Sequence, residues 1–145
     1  KNPQLFQYLT LETTEKSIVK GVELTRAQMK IFSKMGIHLA LDDYGTGYSS
    51  LSYLGQFKFN HIKIDRSFIS GHDKSTEQSI ILETINNLAK SLAIDTVAEG
   101  IETQQQLELM QDLQCSMGQG FYISKALSND ELLALLKNQK KLIVT

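Results

Sequence analysis

The sequence predicts an α/β fold, a partial (β/α) TIM-type barrel of about five parallel strand-helix units, and three observations predict it. Short apolar runs alternate with longer amphipathic ones; a parallel crossover needs a dozen or more residues, and a helix supplies them most compactly. Nothing divides the chain, because its one proline is Pro3 and no Gly/Ser-rich or low-complexity run interrupts it, so residues 1–145 read as a single domain. Glu12, Asp42, Asp43, Lys63, Glu99 and Gln119 each fall at or near the C-terminal end of an expected strand, the end that forms the catalytic face of such a barrel. A closed barrel takes eight units and typically about 250 residues. Five units leave it open, so the chain reads either as part of a longer barrel or as an open sheet whose edges a second copy covers.

Taken in order, Leu5–Glu12 mixes apolar and polar residues at strand length, and Ile18–Met35 places Ile18, Val22, Met29, Ile31, Phe32 and Met35 close to helical spacing. Gly36 is the expected helix stop. Ile37–Leu41 is a short apolar strand running into Asp42-Asp43, and Phe59–Ile64 is strand-like with Lys63 and Asp65 at its end. Glu77–Leu92 is helix-like, with Ile80, Ile81, Ile85, Leu88 and Leu92 to one side. Ile94–Ala98 is a strand that ends at Glu99. Gln104–Leu113 and Asn129–Lys137 read as helices, the second capped by Ser128 or Asn129, with Gln119–Ile123 as a final short strand between them.

Fifteen basic and sixteen acidic residues give a net charge of −1, which excludes a binder of nucleic-acid polymers or membrane surfaces that works through bulk electrostatics. Any partner is read by a local site. The single cysteine, Cys115, cannot form an intrachain disulfide, fits a cytoplasmic setting and reads as a small buried residue. No apolar stretch approaches the ~20 residues a membrane span requires. Tyr44, Tyr48, Tyr53 and Phe57 read as packing or interface residues. The lysines between Lys137 and Lys141 suit a solvated helix end that complements the macrodipole.

Carboxylates from four strand ends gathered on one face repel one another unless a cation joins them. Oxygen-only donors favour hard ions such as Mg²⁺ or Mn²⁺ over zinc. Within the set, Asp42-Asp43 follows a fully apolar strand and precedes Gly45-Thr46-Gly47, a turn at which one carboxylate could bridge two ions. A pair of acids before glycines also suits an ordinary turn, and the acids as a group also suit solvated loop ends with no shared site.

The segment Asp42-Asp43-Tyr44-Gly45-Thr46-Gly47-Tyr48-Ser49-Ser50-Leu51 resembles the DDFGTGYSSL loop of the EAL domain family, with Tyr in place of Phe. Leu11-Glu12-Thr13-Thr14-Glu15 resembles that family's E-x-T-E motif, Lys63-Ile64-Asp65 its K-I-D strand, Val97 to Thr103 its A-E-G-(V/I)-E-T motif and Gln119-Gly120-Phe121 its Q-G-(Y/F) strand. Order and spacing agree across residues 3–128. The resemblance implies a cyclic-di-GMP phosphodiesterase that makes linear pGpG with two divalent cations, Mg²⁺ or Mn²⁺. It implies that Glu12, Asp42, Asp43 and Glu99 bind those ions with Asp42 bridging, and that Lys63 lies near the attacking water and the scissile phosphate. Glu102 and Gln119 match site-lining positions that orient ligands and waters. Glu15 matches the anchor of the loop after Asp43, where residues 46–50 link site geometry to contacts in a homodimer. An upstream GGDEF or sensory domain is a further implied partner.

Two departures bear on that expectation. The Glu-Ala-Leu segment and the family's asparagine ligand are absent from these residues, which predicts an N-terminally truncated domain, and Ala126 stands where the family usually has proline, a change that loosens a turn. Two functional classes follow: a phosphodiesterase whose remaining strands lie upstream, or a noncatalytic EAL remnant that binds nucleotide or serves in protein association.

Overall fold

A computed structural model describes residues 3–19, 21–45, 51–70 and 76–137. A 3-10 helix over Pro3–Tyr8 leads into β1 (Thr10–Thr14), α1 (Glu15–Val19), α2 (Val22–Lys34), β2 (His38–Tyr44) and α3 (Leu51–Gln56). Next come β3 (His61–Ile64), α4 (Arg66–Ser70), α5 (Thr76–Ser91), β4 (Asp95–Glu99), α6 (Gln104–Asp112), β5 (Met117–Gln119) and α7 (Asn129–Lys137). The strands form one sheet in chain order, β1-β2-β3-β4-β5, and every neighbouring pair is parallel. The expected α/β class, five parallel strands alternating with helices, is therefore the observed one.

Strand parity decides what each face does. Leu39, Leu41, Ile62, Ile64, Thr96 and Ala98 are all buried. They point to the side where Ile18, Met29, Leu82, Ile85, Ala89 and Met110 of the helices complete the core. A buried polar pair on that side is hydrogen-bonded: Thr96 Oγ1 donates to Asn86 Oδ1 at 2.9 Å, and the Asn86 amide reaches the Leu113 carbonyl. Tyr44 and Phe57, expected as packing residues, are buried in the same core. The opposite parity places Glu12, Ala40, His61, Val97, Glu99 and Gln119 together on the other face. That arrangement is the inner face of a barrel segment, with helices outside only.

Several boundaries differ from those predicted. The strand expected over Leu5–Glu12 is a 3-10 turn followed by a strand that starts at Thr10. Pro3 suits a first helical turn because its missing N–H is not needed there, and Leu9 N–H closes the segment on Phe6 O at 3.1 Å. Glu12 consequently sits in the middle of β1 rather than at its end. The single helix expected over Ile18–Met35 is two, because Gly21 adopts φ −164° and ψ 62°, outside the helical region, and restarts the chain as the N-cap of α2. The last strand lies earlier than Gln119–Ile123, since Ile123 and Ser124 N–H both turn back onto Gly120 O. Helices α3 and α4 span six and five residues, too short for apolar periodicity to reveal.

Other signals hold. Gly36 takes φ +81° directly after Met35, the C-cap of α2. Ser128 is the cap of α7: its Oγ accepts from Glu131 N–H while the Glu131 carboxylate takes Ser128 N–H at 2.7 Å. Cys115 is half-buried against the core, less enclosed than expected. Residues 46–50, with Tyr48, the Tyr53 side chain and the lysines after Lys137, lie outside the described residues. Among the described residues, no helix is long and apolar enough to cross a membrane.

Candidate functional site

The inner face carries Glu12 from the middle of β1 and, toward the strand ends, Asp42 from β2, Lys63 from β3, Glu99 from β4 and Gln119 from β5. A bulge makes this possible on β2. Leu41 pairs with Ile62 and Tyr44 with Ile64, so Asp42 and Asp43 together oppose the one residue between, Lys63. The extra residue is accommodated by Asp43, which takes the left-handed φ of 54°, a conformation aspartate tolerates better than most residues. Asp43 N–H donates to Asp42 Oδ1 at 3.1 Å and steadies the bulge. As expected, the two residues lie near the end of the strand before Gly45; the bulge makes them share one partner across the ladder.

Lys63 is the hub. Its ammonium Nζ lies 2.7 Å from Glu12 Oε2, 2.8 Å from Glu99 Oε1 and 3.0 Å from Asp42 Oδ1. Burial alone would lower the lysine pKa, but hydrogen bonds to Glu12, Glu99 and Asp42 outweigh it and hold the amine above its ordinary range. At neutral pH Lys63 is a fixed cation and not a base. Gln119 Nε2 donates to the same Glu99 Oε1 at 2.8 Å and so fixes the orientation of that carboxylate. Three of the four expected acidic residues thus converge on one point, and Asp43, exposed, adjoins it across the bulge.

Glu102 stands apart from this cluster. It lines a concavity of about 500 Å³ beside the end of β5, together with Arg66, Gln119, Phe121 and Lys125. The Lys125 ammonium lies 6.0 Å from the centre of the exposed Phe121 ring. Of these, Arg66, Phe121 and Lys125 were not foreseen as site residues. Glu15 opens α1, and its charge, after burial, raises the pKa of the Tyr44 phenol. The loop it is expected to anchor lies outside the described residues.

The donor chemistry fits a hard divalent cation, since three carboxylates from separate strands already surround a positive charge. Among the described residues no three His, Cys, Asp or Glu side chains close around a point that could hold a metal ion; the Lys63 ammonium stands where Glu12, Asp42 and Glu99 converge.

Lower on the same face, His38 and His61 meet edge to face at 5.5 Å, and His61 Nδ1 is buried with no hydrogen-bond partner. Burial lowers the His61 pKa below its ordinary 6.5; Asp95 partly opposes this and His38 adds to it. In the unfolded chain His61 takes up a proton at about 6.5, and in the folded chain it resists. Its contribution to stability is therefore complete above that pH and is lost as pH falls through the lowered folded value. A His61→Leu variant is expected to lose part of the acid-side decline in urea midpoint between pH 7.5 and pH 5. An unchanged slope would clear His61 of any role.

Comparison with known proteins shows the family. The model of the EAL domain family matches residues 1–126. The chain is 36% identical over 136 residues to a probable cyclic di-GMP phosphodiesterase of Escherichia coli, PdeG, covering 94% of this chain and 27% of that protein. It superposes on the EAL domain of Mycobacterium smegmatis DcpA with a TM-score of 0.82 at 34% identity, covering 88% of this chain and 57% of the other. A manganese and cyclic-di-GMP complex of Klebsiella pneumoniae BlrP1 gives a TM-score of 0.75 at 30% identity, covering 83% and 30%. The chain therefore spans about a quarter of the length of its curated relative and just over half of the DcpA domain.

Proposed function

The chain belongs to the EAL domain family, and on that premise we propose that it serves in the hydrolysis of cyclic di-GMP to linear pGpG with the help of two divalent cations. The observation that carries this reading is the convergence of Glu12, Asp42 and Glu99 on one cation at 2.7–3.0 Å on the strand-end face. Glu12, Asp42, Asp43 and Glu99 would hold the ions. When bound, two such ions neutralise charge on a phosphodiester and lower the pKa of an attacking water. A structural neighbour solved with manganese and cyclic di-GMP supports the use of a divalent ion.

The chain's own residues have distinct tasks in this reading. Lys63, held protonated, offers a fixed positive charge to an anionic phosphodiester oxygen and stabilises charge that grows there in the transition state. Gln119 holds Glu99 in one orientation. Glu102, Arg66 and Phe121 line the neighbouring concavity, which has the polarity and the aromatic surface to take a base and sugar beyond the scissile bond.

The test is to incubate this chain, and any longer form of the protein that carries it, with cyclic di-GMP and Mn²⁺ or Mg²⁺, and to follow pGpG by chromatography. Metal-dependent pGpG formation is expected. Binding of cyclic di-GMP with no turnover in either form would replace this reading with the noncatalytic one, a nucleotide-binding or protein-association module. That second reading is favoured by a different observation: among the described residues no three His, Cys, Asp or Glu side chains close around a point that could hold a metal ion.

A further inference from the structure

We infer that Lys63 acts as a built-in cation that holds the acidic cluster together before metal arrives, and that metal loading requires its ammonium to leave that position. The inference rests on the metal reading proposed above. Its ground is the geometry of one atom. A single Nζ makes three carboxylate contacts of 2.7, 2.8 and 3.0 Å to three different strands. The Lys63 side chain is only 11% exposed, whereas that of Glu12 is 48% exposed. Three carboxylates brought together without a cation would repel one another across a partly dry site, so the ammonium joins β1, β2 and β4 through the strand between them.

A divalent cation needs the same oxygens. A hard ion such as Mg²⁺ binds oxygen at ~2.0–2.1 Å, closer than the ammonium stands, so the Lys63 Nζ and a metal ion cannot both occupy the point where the three carboxylates converge. The two states are therefore exclusive: ammonium in, or metal in with the ammonium swung away. Because the lysine stem is flexible and its charge is a point, it can move without moving β3. Once displaced, the same ammonium is free to meet an anionic ligand at the mouth of the site. Metal binding and anion binding are coupled by this exchange, and each is weakened by the lysine's preference for the acids.

Direct Mn²⁺ binding tests the exchange without any reaction. Free Mn²⁺ is measured by its paramagnetic resonance signal in titrations of wild type, Lys63→Met and Lys63→Arg, each with a thermal melt in the absence and presence of metal. Lys63→Met removes the competing cation. It is expected to melt lower than wild type without metal and to bind Mn²⁺ about tenfold more tightly or better, a difference of ~1.4 kcal/mol, with a larger metal-induced rise in melting temperature. Lys63→Arg retains the charge and is expected to bind no more tightly than wild type. If Lys63→Met is unfolded without metal, recovery of its circular-dichroism spectrum on adding Mn²⁺ reports the same exchange, and no recovery overturns it. Equal Mn²⁺ affinity in wild type and Lys63→Met overturns the exchange while leaving the metal reading intact. No Mn²⁺ binding by any of the three overturns both.

Discussion

Replacing Gly120 by alanine is expected to destabilise the protein by at least ~3 kcal/mol, the upper end of what overpacking a close-packed site costs. A Cβ at this position would stand 2.1 Å from Ile101 O and 2.3 Å from Ile101 N. Both are backbone atoms, so no rotamer change can relieve the overlap. Ile101 is fully buried, and its peptide groups are committed: its N–H donates to Gln119 O at 3.1 Å and its carbonyl accepts from Tyr122 N–H at 2.9 Å. To admit the methyl group, the turn after β4 must part from the end of β5, which breaks both bonds and separates Glu99 from Gln119. Gly118→Ala provides the contrast. There the nearest atom is Ile101 Cδ1 at 2.7 Å, the far end of a flexible side chain, and a penalty of about 1 kcal/mol is expected. Urea midpoints of the two variants decide the matter; a Gly120→Ala protein as stable as wild type would mean that the 101–120 contact is slack.

The same region shows how far the sequence could be read. The alternation of strands and helices was legible because each strand has one apolar parity, Leu39 and Leu41 or Ile62 and Ile64, and each long helix has one apolar side. So were the caps at Gly36 and Ser128, which depend on residue type at a fixed offset. What failed was local conformation that leaves no periodic trace: the 3-10 turn before Thr10, the break at Gly21 and the end of β5 at Gln119 are decided by backbone hydrogen bonds and by the close approach of Gly120 to Ile101. The candidate site was legible as a list of residues and illegible as an arrangement. Glu12, Asp42, Glu99 and Gln119 were expected on one face, and the structure brings their side chains within hydrogen-bond distance of Lys63 or of one another. That the Lys63 ammonium is shared by Glu12, Asp42 and Glu99 follows from cross-strand register, which pairs Lys63 with Val97 and sets Asp42 and Asp43 opposite it through a bulge. Register is set by long-range pairing, and a single sequence carries it only as parity.

Asp42→Ala is expected to reduce metal-dependent turnover of cyclic di-GMP by at least about a thousandfold in the full-length protein. Loss of a group that merely orients a ligand already costs ~10–100-fold, and Asp42 is proposed as one of the residues that would hold the ions. The carboxylate has a second task, however, because its Oδ1 also accepts Asp43 N–H at 3.1 Å and contacts Lys63 at 3.0 Å. A loss in the alanine variant alone would not distinguish a missing ligand from a collapsed bulge. Asp42→Asn separates them: its amide oxygen can still accept from Asp43 N–H and preserve the backbone, while the negative charge is gone. If charge at the metal ions is what matters, the asparagine variant is as inactive as the alanine variant but keeps the wild-type urea midpoint. If position is what matters, it keeps turnover within about tenfold of wild type. Near-normal turnover in both variants would remove Asp42 from the chemistry and leave Glu12 and Glu99, with Lys63 between them, as the core of the site.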